Sequence, residues 1–224
     1  MITRFLVFVN VLAFLWEIVV AGPGMLSISG GGNEDRVLAL GALAPADVLV
    51  NHEWWRIITS AFLHGGLLHI GVNMISLWYL GRFIEAAAGP TRMALIYFVS
   101  LVASGLGVIY LSPPANALVP TLGASGAIFG LFGALFAIGF KLGPPGMQLI
   151  RANIGILVLN LIITFAVPGI AWEAHVAGLV VGFLLTLVIY TPPRRVAPVV
   201  VDAATGHQYE TEYQTPEPPH QSHQ

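Results

Sequence analysis

Ser125 stands between Gly123, Gly126 and Gly130 in the stretch TLGASGAIFG, at the edge of a long apolar run, and His175 opens another apolar run fifty residues later. A serine hydroxyl against an imidazole is the pair needed for covalent attack on a carbonyl. The histidine takes the serine proton and later protonates the leaving amine. His69 and Asn73 lie four residues apart in HGGLLHIGVN, on one face of a helix. Their imidazole and amide can hold a developing oxyanion, and the Ser125 N–H, free at a helix start, is a further donor. Each residue also has a plainer use taken alone: a serine caps a helix, an asparagine bridges two helices, and only an ionisable group inside a membrane points to function by itself. His64, five positions before His69, faces partly elsewhere and is assigned to structure or to a helix-to-loop hydrogen bond. Glu173, two residues before His175, points off its face, so no third catalytic member is expected. Glu85 is expected to pair with Arg82 or Arg92, or to accept hydrogen bonds from a neighbouring loop.

The elements that must position these groups are membrane helices. Of 224 residues, 56% are hydrophobic and 9% charged, against about 25% charged in a soluble domain. The formal net charge of -2, with no dense basic patch, argues against a nucleic-acid binder. The absence of cysteine excludes disulfides, thiolate metal sites and thiol catalysis. Apolar runs at about 5–21, 66–84, 93–111, 124–140, 154–171 and 174–190 have the length of spanning helices. Residues 57–65 extend the second helix or lead into it, and the first run reads as a retained span rather than a signal peptide. The expected fold is all-α, a polytopic six-helix membrane bundle over residues 1–191, followed by a disordered cytoplasmic tail over 192–224. The tail histidines His207, His220 and His223 read as ordinary tail residues.

Helix direction alternates, so spans two, four and six start on one side of the membrane, and Ser125, His175, His69 and Asn73 fall at similar depth. Gly126, Gly130 and Gly133 form a smooth stripe on the fourth span, as do Gly178 and Gly182 on the sixth. Such stripes let backbones approach closely. With the first residue inside, Arg4, Arg82, Arg92, Lys141, Arg151, Arg194 and Arg195, seven of the nine basic residues, lie in the cytoplasm. Arg36 and Arg56 lie outside, with Glu34, Asp35, Asp47 and Glu53 in the same long loop, where Trp54 and Trp55 suit an interfacial anchor.

In this order the motifs WR (Trp55–Arg56), HGGLLHIGVN (His64–Asn73), GASG (Gly123–Gly126) and AHVAG (Ala174–Gly178) resemble the rhomboid intramembrane serine proteases, over Phe5 to Tyr190. The sequence is similar to the minimal six-helix bacterial form. The resemblance implies a Ser125–His175 dyad with His69 and Asn73 as oxyanion-hole side chains. It gives Gly123 a backbone place close to the substrate, His64 a structural role at the outer end of the second span, and Trp55 and Arg56 a place in the first external loop. It makes Glu85 a structural glutamate holding helices together. Gly126 and Gly178 belong to the motifs themselves. Phe129 stands where family members often carry a tyrosine stacked under the histidine; stacking survives and the hydroxyl is lost. The resemblance further implies lateral entry of a substrate helix between the second and fifth spans. The site would lie beneath a mobile loop, at Ser112–Leu122 or, better, Val167–Trp172. Cleavage of single-span membrane proteins near the outer face of a bacterial inner membrane would follow.

The expected activity is therefore that of a serine endopeptidase acting through an acyl-enzyme, with no cofactor and no metal. Its partners are transmembrane substrates and lipid. A zinc site fits less well, since His64 and His69 are five rather than four apart and no glutamate follows either; His52 lies in the loop. A catalytically silent membrane-helix binder on the same fold is the alternative. A transporter comes after it, since no inverted repeat is seen.

Overall fold

The computed structural model describes residues 1–32, 34–192, 199–201 and 208–210. The chain divides into two compact units, Met1–Thr191 and Pro192–Gln224. In the second unit, Val199–Val201 and Gln208–Glu210 pair as short antiparallel strands. The expectation of a disordered tail otherwise falls on residues outside those described, as do the side assignments of Arg194 and Arg195 and the reading of His207, His220 and His223.

The first unit is all-α. Among the described residues, six helices are long and apolar enough to cross a membrane: Ile2–Ala21, Leu67–Ala88, Pro90–Leu111, Ser125–Leu142, Pro144–Ala166 and Trp172–Ile189, spans one to six below. Span five differs from expectation at both ends. Pro144 supplies a helix start with its φ already set, so the helix runs ahead of the apolar stretch through Gln148, Arg151 and Asn153. It stops at Ala166, just before Pro168 and Gly169, because the residue preceding a proline is pushed out of the helical region. Residues 57–65 lead into span two without joining it. Arg56–Thr59 is one α turn, Ser60–Phe62 a 3-10 turn, and Gly66 breaks the chain at φ +127° before Leu67.

Span four is the central helix, with 72% of its spanning window buried against 17% for span five. Its glycines allow this. A Cβ on Gly178 of span six would strike the Gly126 carbonyl, and one on Gly182 the Gly130 carbonyl. On the other side, Ser104 and Ser100 of span three press against Gly126 and Gly130. The two glycine stripes read from the sequence are therefore joined by a serine stripe, and three backbones pack at small-residue distance.

The loop between spans one and two is built by short helices, Glu34–Gly41 and Pro45–Leu49 among them. Arg56 organises it. Its buried guanidinium donates to the carbonyls of Ala42 (2.7 Å), Ala39 (2.8 Å) and Leu38 (3.3 Å) and bonds Glu53, satisfying the end of helix Glu34–Gly41. Trp54 and Trp55 beside it are exposed. At the opposite end of span two, Glu85 accepts from the N–H groups of Ile2 (2.9 Å) and Thr3 (3.1 Å) and from the Thr3 hydroxyl (2.7 Å). The arginine pairing considered for Glu85 does not form. Arg82 lies 5.9 Å over the Trp78 ring and Arg92 donates to the Ala88 carbonyl. A carboxylate at the start of span one satisfies free N–H groups and meets the positive end of the helix dipole, which an arginine pair on the surface does not offer.

Candidate active site

Ser125 is the first residue of span four. The first bond of that helix runs from the Ile128 N–H to the Ala124 carbonyl, so the N–H groups ahead of Ile128 have no partner within it. The turn before it is fixed from outside. Thr121 and Leu43 exchange both backbone bonds (2.8 and 2.9 Å), and the Gly123 N–H donates to the Ser60 carbonyl at 2.8 Å. Gly123 takes φ +116°, a conformation that glycine adopts without strain. The segment carrying the serine is thus pinned to the loop that Arg56 holds.

His175 lies on the first turn of span six, and close packing of spans four and six brings its Nε2 to 2.7 Å from Ser125 Oγ. Its ring stacks on Phe129, with centroids 4.2 Å apart and planes 11° apart. The second imidazole nitrogen, Nδ1, lies 2.8 Å from the Thr164 hydroxyl of span five, which also reaches the Asn160 carbonyl at 2.7 Å. Glu173 is buried with one carboxylate oxygen unpartnered and makes no bond to His175. Sequence reasoning missed Thr164. Its signal was the Asn160/Thr164 pair, four residues apart in an otherwise apolar run, which nothing in the sequence assigned to a histidine on another helix.

His69 and Asn73 face the same space from span two. The Gly65 N–H donates to His69 Nδ1 at 3.2 Å, so Nε2 carries the proton. A Cβ on Gly123 would sit 2.7 Å from that Nε2 and 3.8 Å from Asn73 Nδ2; glycine leaves the pocket into which both groups project. Asn73 Nδ2 also donates one proton to the His69 carbonyl at 3.0 Å, which holds the amide in place. The start of span two is anchored in turn, with the Leu67 and Leu68 N–H groups bonded to the Ser27 and Ile28 carbonyls.

His64 lies in the segment before span two and is fully buried behind His69, with ring centroids 5.2 Å apart. Its backbone N–H donates to the Glu17 carboxylate (3.0 and 3.1 Å) and its Nδ1 lies 3.3 Å from the Phe62 carbonyl. Burial, with His69 alongside, pushes the imidazole down to about 3. The ring is neutral and supports His69 from behind, outside the cavity.

Ser125, His175, His69, Asn73, Gly123, Gly126 and Phe129 line one cavity of about 480 Å³. Val72 and Ser76 of span two and Asn160 and Ile163 of span five form its flank, and Pro120–Leu122 and Pro168–Ala171 also line it. Gly178, Trp55, Arg56 and Glu85 lie outside it: Gly178 packs span six on span four, Arg56 and Glu85 hold backbone ends by hydrogen bonds, and Trp55 is exposed.

A model of the Rhomboid domain matches residues 51–192. Rhomboid protease GluP of Bacillus subtilis is 34% identical over 170 residues, covering 75% of this chain and 32% of GluP. The putative rhomboid protease YdcA of the same organism is 35% identical over 139 residues, covering 62% of this chain and 68% of YdcA. The Inactive RHOMBOID-like protein 8 of Arabidopsis thaliana is 37% identical over 99 residues, covering 44% of this chain and 27% of that protein. The chain thus spans about a third of the length of GluP. With the family model covering more than half of the sequence, and six apolar helices to carry it, this chain is a membrane protein of the rhomboid family.

Proposed function

We propose that the protein is an intramembrane serine endopeptidase that cleaves transmembrane helices through Ser125 and His175. The 2.7 Å contact between Ser125 Oγ and His175 Nε2, in a cavity that also receives His69 Nε2, carries the reading. His175 Nε2 takes the Ser125 proton as Oγ bonds the scissile carbonyl carbon. The carbonyl oxygen, now negative, accepts hydrogen bonds from His69 Nε2–H, the Asn73 amide and the Ser125 N–H. The C–N bond then breaks as Nε2–H protonates the departing amine, leaving a serine ester. Water, deprotonated by His175 Nε2, attacks the ester carbonyl carbon; the C–Oγ bond then breaks, the carboxylic acid leaves, and Nε2–H returns the proton to Oγ.

A membrane helix hides its carbonyls in its own hydrogen bonds, so the substrate must unwind locally before attack. The flank between spans two and five is the entry: both line the cavity, and span five is the least buried of the six. Pro168–Ala171 line the cavity, which supports this loop as the cover of the site. The positive-inside rule supports a cytoplasmic side for Arg4, Arg82, Arg92, Lys141 and Arg151, with cleavage near the opposite face.

The test uses the purified protein in liposomes with a single-span substrate. Cleavage, and labelling of Ser125 by a serine-directed phosphonate, are expected for the wild type and absent after Ser125→Ala; His175→Ala also removes the labelling. A protein that retains substrate helices without cutting or labelling is instead a catalytically silent membrane-helix binder.

A further inference from the structure

We propose that the Thr164 hydroxyl is a positioning residue for His175, extending the pair to a relay that ends on a backbone carbonyl. The inference rests on the protease reading above and adds a member from span five. Thr164 is 3% exposed and His175 8%, so water is largely kept from both groups. Thr164 Oγ1 makes two contacts, one to His175 Nδ1 at 2.8 Å and one to the Asn160 carbonyl at 2.7 Å. A hydroxyl has one proton, and a carbonyl can only accept. When the proton points to Asn160, Oγ1 accepts from Nδ1–H, and Nε2 is left with the lone pair that accepts from Ser125. All three contacts are then hydrogen bonds. The reverse polarity leaves the Asn160 contact without a proton and turns Nε2–H toward Ser125, where it cannot take the serine proton.

The carbonyl thus selects the tautomer that the chemistry requires, and Thr164 passes that choice on without itself accepting a proton. When Nε2 is protonated during attack, the same hydroxyl remains the acceptor for Nδ1–H. Stacking on Phe129 fixes the plane of the ring, and Thr164 fixes its rotation within that plane. The relay also joins the central bundle to span five.

The experiment compares wild type with Thr164→Val, Thr164→Ser and Thr164→Cys in liposomes, with thermal unfolding measured for each. Thr164→Val keeps the shape and removes the acceptor. Its kcat is expected to fall on the order of tenfold with KM unchanged. The ¹⁵N shifts of His175 are expected to move from the Nδ1–H tautomer toward a mixture. Thr164→Ser restores both readouts. Thr164→Cys, similar in shape with a weak acceptor, falls between and repeats the test if the valine variant misfolds. A folded valine variant with wild-type kcat and unchanged ¹⁵N shifts overturns the inference alone. A wild type that neither cleaves nor labels at Ser125 overturns the protease reading, and the catalytic use of Thr164 with it.

Discussion

At the scale of single residues, the proposed chemistry depends on where hydrogens point. His69 can donate from Nε2 only because Gly65 occupies Nδ1. Gly123 leaves open the volume into which that donor projects. Gly123→Ala would place a methyl 2.7 Å from His69 Nε2 at φ +116°. We expect kcat to fall about a hundredfold with substrate binding largely kept, read from steady-state cleavage in liposomes. Asn73→Ala is expected to lower kcat by about 10²- to 10³-fold, the loss of one oxyanion donor; an effect on KM alone would overturn the oxyanion role of Asn73. His64 gives a prediction for stability. Unfolded, its imidazole titrates at the ordinary 6.5, and folded at about 3. Between these values the unfolded chain binds a proton that the folded chain does not, so stability rises with pH there. The contribution is complete above pH 6.5 and is lost as pH falls toward 3. Thermal unfolding of His64→Gln should therefore fall less steeply from pH 7 to 5 than that of wild type.

Among elements, the decisive fit is that of spans three, four and six. Ser100 and Ser104, Gly126 and Gly130, Gly178 and Gly182 meet where no larger side chain has room. The Ser125–His175 distance follows from this fit, because both residues sit at the starts of helices whose separation it sets. Gly178→Val is expected to destabilise the fold by about 1–3 kcal/mol through overpacking and to abolish phosphonate labelling, measured together by unfolding and active-site titration. Retained labelling would show that the serine and histidine meet without the glycine contact. Span five is held differently. Its Asn153 accepts a hydrogen bond from the Tyr79 hydroxyl of span two at 3.3 Å, across the flank proposed for entry. Tyr79→Phe removes that link, and turnover of a single-span substrate should rise about two- to tenfold, the range of one ordinary hydrogen bond.

For the whole molecule, the external loop and the bundle form one support. Arg56 holds helix Glu34–Gly41, the loop exchanges backbone bonds with Thr121, and Thr121 leads directly to the serine turn. A surface segment far from the chemistry in sequence therefore sets the position of Ser125. Orientation in the bilayer is testable because the chain has no cysteine. Single substitutions Asn116→Cys and Arg92→Cys should label from opposite sides of sealed vesicles, Arg92→Cys from the cytoplasmic side. The reverse pattern would move the cleavage face.

The sequence by itself determined the membrane character and the number of spans, and it named the polar groups that the fold brings into one cavity, because hydropathy and span length are local and helix alternation decides which ends meet. It also marked the glycine stripes, since spacing along one helix is local as well. It did not reveal the true start of span five, where a proline sets the helix against polar residues that read as loop. Nor did it reveal that Glu85 caps span one, or that Thr164 faces His175. Those are contacts between side chains on different helices, and the rotation of each helix about its axis is fixed only when all six pack.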